Sequence, residues 1–353
     1  MSWLRIKRAA ALLLSLASPA FAGELPPSAA MLLYHHVATD TPASTSIAPA
    51  QFAQHMAYLA EHHTVLPLPE VVTALREGTA LPDNAVVITF DDGYENIYHN
   101  AYPILKQYGF PYTIFINPGV IDRTPSQLSW AQVNEMQEHG ATFANHTLDH
   151  IHMLEKKPGE NDAAWLTRVW NDVTEAEAIL KDKTGTSLRY LAYPFGEYNA
   201  ALARKVSDAG YTGFGQHSGA AGTSSDFAAL PRFPAAGRYA RLDTLKTKLN
   251  SLSMPVSASS VSDPERTTRT LDSAITLTIA GDDVALDRVA CFYEGDTLPV
   301  KVKAKTLHIT FDQTLPTGRS RINCTAPSHQ AGGRFYWYSQ PFFIADKLGR
   351  YPN

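Results

Sequence analysis

Strand-like and helix-like patterns alternate along the chain from about Met31 to Gly215. Apolar runs such as MLLYHHV, AVVITF and YTIFIN predict strands, and AVVITF has the unbroken apolar character of a strand buried on both faces. Segments such as QFAQHMAYLAEHH and SWAQVNEMQEHG instead carry apolar residues at helical spacing. Repeated strand–helix units indicate an α/β fold with a parallel sheet. Their number favours a closed barrel, with an open sheet as the alternative.

The pattern changes near Leu252. The stretch SLSMPVSASSVSDPERTTRT is rich in Ser, Thr and Pro, which is typical of a linker. Short alternating runs follow, including AITLTIA, TLHITFD and RFYWYSQPFFIA, and no helical pattern separates them. We therefore predict an α/β domain over residues 23–250, a linker over 251–265 and a small all-β, sandwich-like domain over 266–353.

The first 22 residues have the pattern of an export signal. Basic residues precede an apolar stretch from Ala9 to Leu16, and Ala20-Phe21-Ala22 matches a cleavage site. A membrane anchor is the alternative, but this stretch is shorter than the roughly 20 residues that a membrane span needs. We expect a cleaved signal peptide over residues 1–22, no transmembrane segment in the mature chain, and a periplasmic or secreted protein.

Composition narrows the classes of function. The chain has 353 residues, which favours two domains. Lys and Arg number 30 against 34 Asp and Glu, a net charge of -4, and this balance argues against nucleic-acid binding. The two cysteines, Cys291 and Cys324, lie in strand-like surroundings. Because export exposes them to an oxidising compartment, a disulfide is favoured over two buried free thiols.

Two adjacent carboxylates, Asp91 and Asp92, end the apolar strand AVVITF. Such close like charges repel each other unless a cation or a proton compensates, although the pair could also be an ordinary turn. His146 and His150 follow another predicted strand, and on a helix their spacing would put both rings on one face. Surface or core histidines are the alternative. Two histidines with one carboxylate form a common catalytic metal set, which can leave a position open for water.

Three motifs together resemble those of the NodB-type polysaccharide deacetylases, carbohydrate esterase family four. TFDDGY over residues 89–94 and HTLDH over residues 146–150 are similar to the first two motifs of that family. LAYPFG over residues 191–196 resembles its proline–aromatic–glycine motif. The resemblance covers about Met31 to Arg241, and it implies a distorted (β/α) barrel and a hydrolase that acts on acetylated polysaccharide.

The resemblance implies a role for individual residues of these motifs. Asp92, His146 and His150 would hold one divalent metal, typically zinc, with cobalt or nickel as alternatives. Asp91 would be the base that takes a proton from the attacking water. The backbone N–H of Tyr193 would help to stabilise the oxyanion, and a protonated side chain would then deliver a proton to the leaving amine.

The chain departs from the family pattern at two places. The family often has an arginine two residues before the motif's proline, where it orients the base; this chain has Ala192 there. Arg232 in ALPRF is a candidate to supply the guanidinium from another loop, and an exposed structural arginine is the alternative. The late Leu-x-His motif that often supplies the acid is missing. We expect the acid to be His35 or His36 in LLYHHV, or His217 in FGQHSG.

Residues of the motif loops are candidates for sugar contact, although an aromatic residue belongs more often to a core than to a sugar platform. The candidates for substrate binding are Tyr94, Trp130, Pro194 and Phe195. In the second domain, alternation along RFYWYSQPFF puts either Tyr336 and Tyr338 or Phe335 and Trp337 on one face. A sandwich core plus a domain interface is favoured there over a carbohydrate-binding surface.

These observations predict a metal-dependent N-deacetylase of an N-acetylglucosamine-containing polysaccharide. LAYPFG without arginine, together with YHHV, resembles the exported poly-β-1,6-N-acetylglucosamine deacetylases more than the chitooligosaccharide or peptidoglycan enzymes. A biofilm exopolysaccharide is therefore the first substrate hypothesis. One alternative is a catalytically silent polysaccharide-binding relative; another is an amidase or O-acetyl esterase, for instance on xylan. The retained Asp91 favours an active enzyme, and nothing in the sequence indicates the oligomeric state.

Overall fold

The computed structural model describes residues 25–271 and 274–352, and the predicted signal peptide lies outside them. The α-helices are α1 (Pro49–His62), α2 (Leu68–Glu77), α3 (Tyr102–Tyr108), α4 (Trp130–Gln137), α5 (Asp162–Thr184), α6 (Ala200–Asp208) and α7 (Leu242–Leu249). The strands of the first domain are β1 (Ser28–Tyr34), β2 (His36–Val37), β3 (Ser46–Ile47), β4 (Thr64–Val65), β5 (Ala85–Phe90), β6 (Tyr112–Ile116), β7 (Ala141–Asn145), β8 (Tyr190–Ala192), β9 (Thr212–Phe214), β10 (Ala220–Gly222) and β11 (Phe233–Pro234). In the described part of the chain, no helix is long and apolar enough to cross a membrane.

Local signals set the ends of several helices. Ser129 caps α4, and its hydroxyl accepts from the backbone N–H of Gln132 while the Gln132 side chain accepts from the backbone N–H of Ser129. Gly78 ends α2 in the left-handed conformation, with a φ of 66°. The apolar face of α5 is buried against the sheet, as its helical spacing predicts. The buried apolar residues of that face are Trp165, Val169, Val173, Ala176 and Leu180.

The main sheet of the first domain is a distorted barrel. Its strands follow the order β10-β1-β5-β6-β7-β8-β9, and neighbours from β1 to β9 run parallel, whereas β10 is antiparallel to β1. Leu230 forms an isolated bridge with Phe214 of β9, and the short strand β11 pairs with β1. The ring therefore closes through an irregular segment, 230–234, and not through a full strand. This arrangement confirms the predicted barrel.

Strand β5 lies inside this barrel sheet, and all six of its residues are buried. The carboxyl ends of β1, β5, β7, β8 and β9 meet at one end of the barrel because these strands are parallel. Loops at that end of a parallel barrel carry the active-site residues in characterised enzymes of this architecture. The motif residues of the sequence follow β5, β7 and β8, so they come together there.

Two stacked sheets form the second domain, which confirms the predicted sandwich-like fold. One sheet has the order β12-β20-β19-β15-β16, and the other β13-β14-β18-β17. Their strands are β12 (Leu252–Ser253), β13 (Val256–Ser259), β14 (Ile275–Ile279), β15 (Ala290–Tyr293), β16 (Asp296–Leu298), β17 (Val300–Lys303), β18 (Thr306–Ile309), β19 (Gly318–Pro327) and β20 (Phe335–Ile344). The predicted disulfide is confirmed: Cys291 and Cys324 are bonded cross-strand partners on β15 and β19.

The segment that we predicted as a linker contributes strands to both sheets. Residues 252–253 form β12, which pairs with β20, and residues 256–259 form β13, which pairs with β14. Strand pairing uses backbone hydrogen bonds, which a Ser-rich composition does not prevent. Composition therefore misled us about residues 251–265, while the proposed division into two domains stays a prediction.

The aromatic run of β20 joins the two domains. Tyr336 is buried in the sandwich core, and Trp337 meets Phe233 of the barrel edge-to-face at a centroid distance of 5.3 Å. Phe335 remains exposed. The favoured interpretation of a core plus a domain interface is confirmed, and this run does not form one aromatic sugar-binding face.

Candidate active site

A sharp backbone turn after β5 separates the two adjacent carboxylates. Asp92 and Gly93 both have a φ of 72°, in the left-handed region. A Cβ atom on Gly93 would lie 2.7 Å from Cγ2 of Ile116, so the turn has room only for glycine there. Asp91 faces an arginine inside the barrel, and Asp92 faces two histidines. The turn thus gives two like charges different partners.

The histidine loop after β7 is not helical, so the one-face arrangement that a helix would give His146 and His150 is not how they come together. The two histidines lie in irregular backbone, where Thr147 has a φ of 67° and His150 a φ of 55°. Left-handed backbone is unusual for a β-branched residue such as threonine. These two residues reverse the chain, and the reversal brings both imidazole rings to Asp92.

Side chains that sequence analysis missed hold this strained loop. Oδ1 of Asn145 accepts from the Thr147 backbone N–H at 2.8 Å, and Nδ2 of Asn117 donates to the carbonyls of His146 and Thr147. Oδ1 of Asp172 accepts from the Leu148 N–H at 2.8 Å. Asn117 follows β6 and Asn145 is the last residue of β7, and a polar residue at a strand end was the signal that could have revealed them.

Asp92, His146 and His150 converge closely enough to share one cation. Oδ1 of Asp92 lies 3.1 Å from Nε2 of His146 and 3.2 Å from Nε2 of His150. Nδ1 of His146 is 2.8 Å from the carbonyl oxygen of Ala192 and donates to it, which directs Nε2 of the ring towards Asp92. Within residues 25–271 and 274–352, neither that Nε2 nor Oδ1 of Asp92 has a hydrogen-bond partner, and both are shielded from solvent.

A buried imidazole nitrogen and a buried carboxylate oxygen this close together require a shared positive charge, which a divalent cation can supply. Two imidazole nitrogens and one carboxylate oxygen are a donor set that suits zinc and related divalent metals. Among the described residues, these three form the cluster with metal-ligand geometry. The residues present therefore fit the metal that the motifs implied.

Asp91 is bound by Arg232, as we predicted for an arginine from another loop. The guanidinium donates through Nη1 and Nη2 to the two carboxylate oxygens at 2.7 and 2.8 Å, and both side chains are fully buried. Nη1 also approaches Oγ1 of Thr89, and Nε donates to the carbonyl of Gly215. The alternative of an exposed structural arginine is therefore excluded. The Ala192 carbonyl meanwhile orients His146.

The charge state of Asp91 follows from its surroundings. Burial alone would raise the pKa of this carboxyl, but the Arg232 guanidinium and His146 hold the pKa below its usual value. Asp91 is therefore ionised near neutral pH. Each of its oxygens keeps a second lone pair beside the arginine, so the carboxylate can still accept a proton or a hydrogen bond.

Of the candidate acids, His35 lies in the charged cluster. Burial lowers the pKa of its ring, while the carboxylates of Asp92 and Asp91 oppose that shift. The next residue, His36, stacks on Tyr94 with ring centroids 3.6 Å apart. The end of β1 therefore places one histidine near both carboxylates and a second in an aromatic pair beside them.

His217 does not fit the role of acid. Its ring lies at a cavity between the barrel and the sandwich, which Tyr198 and Ser339 also line. Burial, together with the charges of Arg321 and Arg232, lowers the pKa of His217 to about 3. The ring is therefore neutral at ordinary pH, and the cavity that it lines includes none of Asp91, Asp92, His146 and His150. The strand-end argument placed His217 correctly after β9 but could not show the domain that packs over it.

The N–H of Tyr193 is not free for an oxyanion, which corrects the role we expected for it. This N–H donates to the carbonyl of Phe214 at 3.0 Å, as part of the sheet between β8 and β9. The side chain is also engaged, because the buried hydroxyl donates to the Ala228 carbonyl at 2.6 Å. Tyr193 therefore supports the barrel wall.

Phe195 stands at the site in a strained turn. Its φ and ψ are 58° and 2°, and the structure gives its backbone N–H no hydrogen-bond partner among the described residues. The ring meets that of His150 edge-on at 4.5 Å and stacks on His152 at 3.9 Å. Pro194 is buried beside it. Burial, together with the neighbouring Asp92, raises the pKa of Tyr94.

Trp130 differs from the other candidate sugar contacts. Its ring is half-buried against the barrel core at the start of α4, and its backbone N–H donates to Oδ2 of Asp122 at 3.3 Å. The contacts described for Trp130 do not include the metal-site residues. Its role in sugar binding stays a prediction.

An acid–histidine pair behind Phe195 escaped sequence analysis. Nδ1 of His152 lies 3.1 and 3.2 Å from the two carboxylate oxygens of Glu197. Burial and the nearby Glu155 raise the pKa of Glu197 to about 8, and the charge of Arg319 opposes that rise. Glu197 follows the LAYPFG motif directly, but its partner lies 45 positions earlier, so only the folded chain shows the pair.

A distorted α/β barrel with an Asp–His–His metal set and a second, arginine-bound carboxylate at its strand ends is the architecture of a metal-dependent hydrolase. Residues 78–214 match the family model described as polysaccharide deacetylase. This part of the chain is similar to the polysaccharide deacetylases, and the NodB-type fold and motifs agree with that similarity.

Three relatives illustrate the similarity. The poly-β-1,6-N-acetyl-D-glucosamine N-deacetylase of Staphylococcus aureus (strain MRSA252) is 30 % identical over 171 residues, which are 47 % of this chain and 59 % of that protein. YxkH of Bacillus subtilis (strain 168) is 28 % identical over 211 residues, 59 % of this chain and 72 % of that protein. The solved structure of IcaB from Ammonifex degensii is 26 % identical, has a TM-score of 0.51, and covers 58 % of this chain and 91 % of that chain. The chain therefore spans about three fifths of the length of the staphylococcal relative.

Proposed function

We propose that the protein is an exported, metal-dependent deacetylase that removes N-acetyl groups from poly-β-1,6-N-acetylglucosamine. The main support for metal-dependent hydrolysis is one observation: a buried, ionised carboxylate, Asp91, directly adjoins the Asp92–His146–His150 cluster. The similarity to the staphylococcal enzyme named for that polymer supports the choice of substrate.

Asp92, His146 and His150 would hold the metal, with zinc as the first choice and cobalt or nickel as alternatives. Such an ion, when bound, polarises an amide carbonyl and lowers the pKa of a coordinated water. Asp91 takes a proton from the attacking water, and Arg232 keeps this carboxylate ionised and fixed in direction. The amide C–N bond then breaks, so that acetate and a free amine leave.

Two further residues of the chain complete this scheme. The N–H of Phe195 replaces that of Tyr193 as the donor to the oxyanion, because this residue packs against His150 and its N–H has no acceptor among the described residues. His35 passes the proton to the leaving nitrogen. Burial keeps its ring neutral at rest, so the proton that it delivers is the one that Asp91 withdraws from water.

Export is part of the proposal because the chain carries a disulfide between Cys291 and Cys324. Disulfides persist in oxidising compartments and are rare in the cytosol. The pattern of residues 1–22 agrees with a signal peptide. A periplasmic or secreted enzyme would meet an extracellular polysaccharide directly.

A panel of acetylated substrates tests this function. We expect free amine and acetate in equal amounts from β-1,6-linked N-acetylglucosamine oligomers, and slower release from β-1,4-linked oligomers and peptidoglycan. Acetate release from acetylated xylan without any amine-forming activity would favour the esterase alternative instead. If none of these substrates reacted but the protein bound the β-1,6-linked oligomers, a silent binding relative would be the better description.

Replacing Arg232 with Met should move the acid limb of kcat/KM to higher pH. The guanidinium lowers the Asp91 pKa, and without it only the smaller effects of His146 and His35 oppose the effect of burial. Because an arginine neighbour lowers a carboxyl pKa by about 1–3 units, we expect a shift of that order in the pH profile. The free energy of unfolding should fall by about 3–5 kcal/mol, since one member of a buried ion pair is lost.

Arg241→Met is the matched control because Arg241 pairs with Asp243 on the exposed surface. We expect this variant to keep the wild-type pH profile and stability. An unchanged acid limb in Arg232→Met would show that Arg232 does not govern the ionisation of the base.

A further inference from the structure

One side chain of the sandwich reaches the active-site loop of the barrel. Arg319 lies on β19, and its Nη1 donates to the carbonyl oxygen of Phe195 at 3.0 Å and to Oε1 of Gln216 at 2.7 Å. Phe195 follows β8, and Gln216 follows β9. A single guanidinium therefore connects two neighbouring strand-end loops of the barrel to the second domain.

The loop that Arg319 binds is conformationally strained. Phe195 has a left-handed backbone, which an aromatic residue adopts only when its surroundings impose it. Gly196 follows with a φ of 74°, and its N–H donates to the Tyr193 carbonyl at 2.8 Å. A Cβ atom on Gly196 would lie 2.8 Å from Cβ of Gln216, so the turn packs against the same glutamine that Arg319 binds.

The direction of the Phe195 carbonyl depends on the ψ angle of this strained residue. Arg319 can bind the carbonyl only while Phe195 keeps its unusual conformation, so the hydrogen bond selects that conformation. The same conformation presents the free N–H of Phe195 and places its ring against His150. A contact from the sandwich thus acts on the geometry of the candidate oxyanion donor and of one metal-site residue.

We propose that Arg319 is a positioning residue for the deacetylation reaction. By binding the Phe195 carbonyl, it holds the turn that directs the Phe195 N–H towards the oxyanion. The sandwich then contributes directly to the geometry of the active site, in addition to packing against the barrel. This inference rests on the proposed function, and it assigns to the second domain a role that the barrel motifs do not contain.

Arg319→Ala should lower kcat by about ten-fold or more on β-1,6-linked N-acetylglucosamine oligomers while leaving KM near the wild-type value, because small displacements of catalytic groups are costly. The contact positions the Phe195 N–H, which would bind the oxyanion only in the transition state. We therefore expect kcat to change and KM to stay the same. Arg319→Lys keeps a cation that can reach one of the two acceptors, so it should recover part of the loss. Arg319→Gln provides a second neutral variant if Arg319→Ala does not fold.

Arg334→Ala is the matched control. Arg334 also extends from the sandwich to the barrel, where it donates to Oδ1 of Asp83 at 2.6 Å and to the carbonyl of Asn250 at 2.9 Å, away from the motif loops. It should keep the wild-type kcat even if its melting temperature falls. Equal kcat in folded Arg319 and Arg334 variants, or a change in KM alone, would overturn the inference. An inactive wild-type protein would instead contradict the proposed function.

Discussion

Asp91→Asn is expected to lower kcat for amine release by about 10²–10⁴-fold, the usual contribution of a positioned acid–base group. The amide has the size of the carboxylate, but it cannot take a proton from water. Arg232 would face a neutral group in a fully buried site, so some loss of stability should accompany the loss of activity. Activity and metal content of the same folded sample are the measurements.

Metal binding separates this role from a structural one. Asp91 binds Arg232 and is not one of the three clustered ligands, so Asp91→Asn should still bind metal with nearly wild-type affinity. Asp208→Asn, an exposed carboxylate at the end of α6, should leave both activity and metal binding unchanged. Full activity in Asp91→Asn would show that another group is the base.

The second large effect is expected at the neighbouring carboxylate. Asp92→Asn removes the oxygen that lies 3.1 and 3.2 Å from the two histidine nitrogens. Loss of an outer-shell partner typically costs 10–100-fold in metal affinity, so loss of a direct ligand should cost more than about 100-fold. We expect His146→Ala to behave in the same way, because its ring is fully buried and oriented by the Ala192 carbonyl.

Metal affinity is best compared by competition with a chelator on the folded variants. His62→Ala, which removes an exposed histidine of α1, is the control and should bind metal as the wild type does. If Asp92→Asn kept the wild-type affinity, the cluster would not be the metal site. The pair of substitutions at positions 91 and 92 thus distinguishes a base from a ligand within two adjacent residues.

Several parts of this site could be predicted from the sequence because they rest on local patterns. The apolar run of β5 and the carboxylates that end it are adjacent in the chain, and strand–helix alternation predicts where such strand ends meet. Arg232 could be proposed because a guanidinium was missing at Ala192. The prediction succeeded since a buried carboxylate requires a compensating charge.

Other parts depend on backbone geometry that residue spacing does not express. His146 and His150 have helical spacing, yet left-handed residues in an irregular loop bring them together. The sequence showed no partner for the Tyr193 N–H, but this group donates to the carbonyl of Phe214 where β8 lies beside β9. Both features escaped the sequence for the same reason, because a motif names residues but leaves their φ and ψ angles open.

Contacts between the domains were beyond sequence reasoning. Arg319 and Phe195 are 124 positions apart, and no periodicity or motif connects them. His217 was assigned to the active site because it follows a strand, but the packed sandwich encloses it at another cavity. The strands β12 and β13 were read as linker because polar composition conceals backbone pairing.

Titration of metal-free protein with zinc, while amine release from β-1,6-linked N-acetylglucosamine oligomers is followed, tests the central claim most directly. Asp92, His146 and His150 form one cluster in the described chain, so activity should be absent at first, rise with added zinc, and level off at one equivalent per chain. Cobalt or nickel should be able to replace zinc. Amine release by the metal-free protein at the rate of the reconstituted protein would contradict the account.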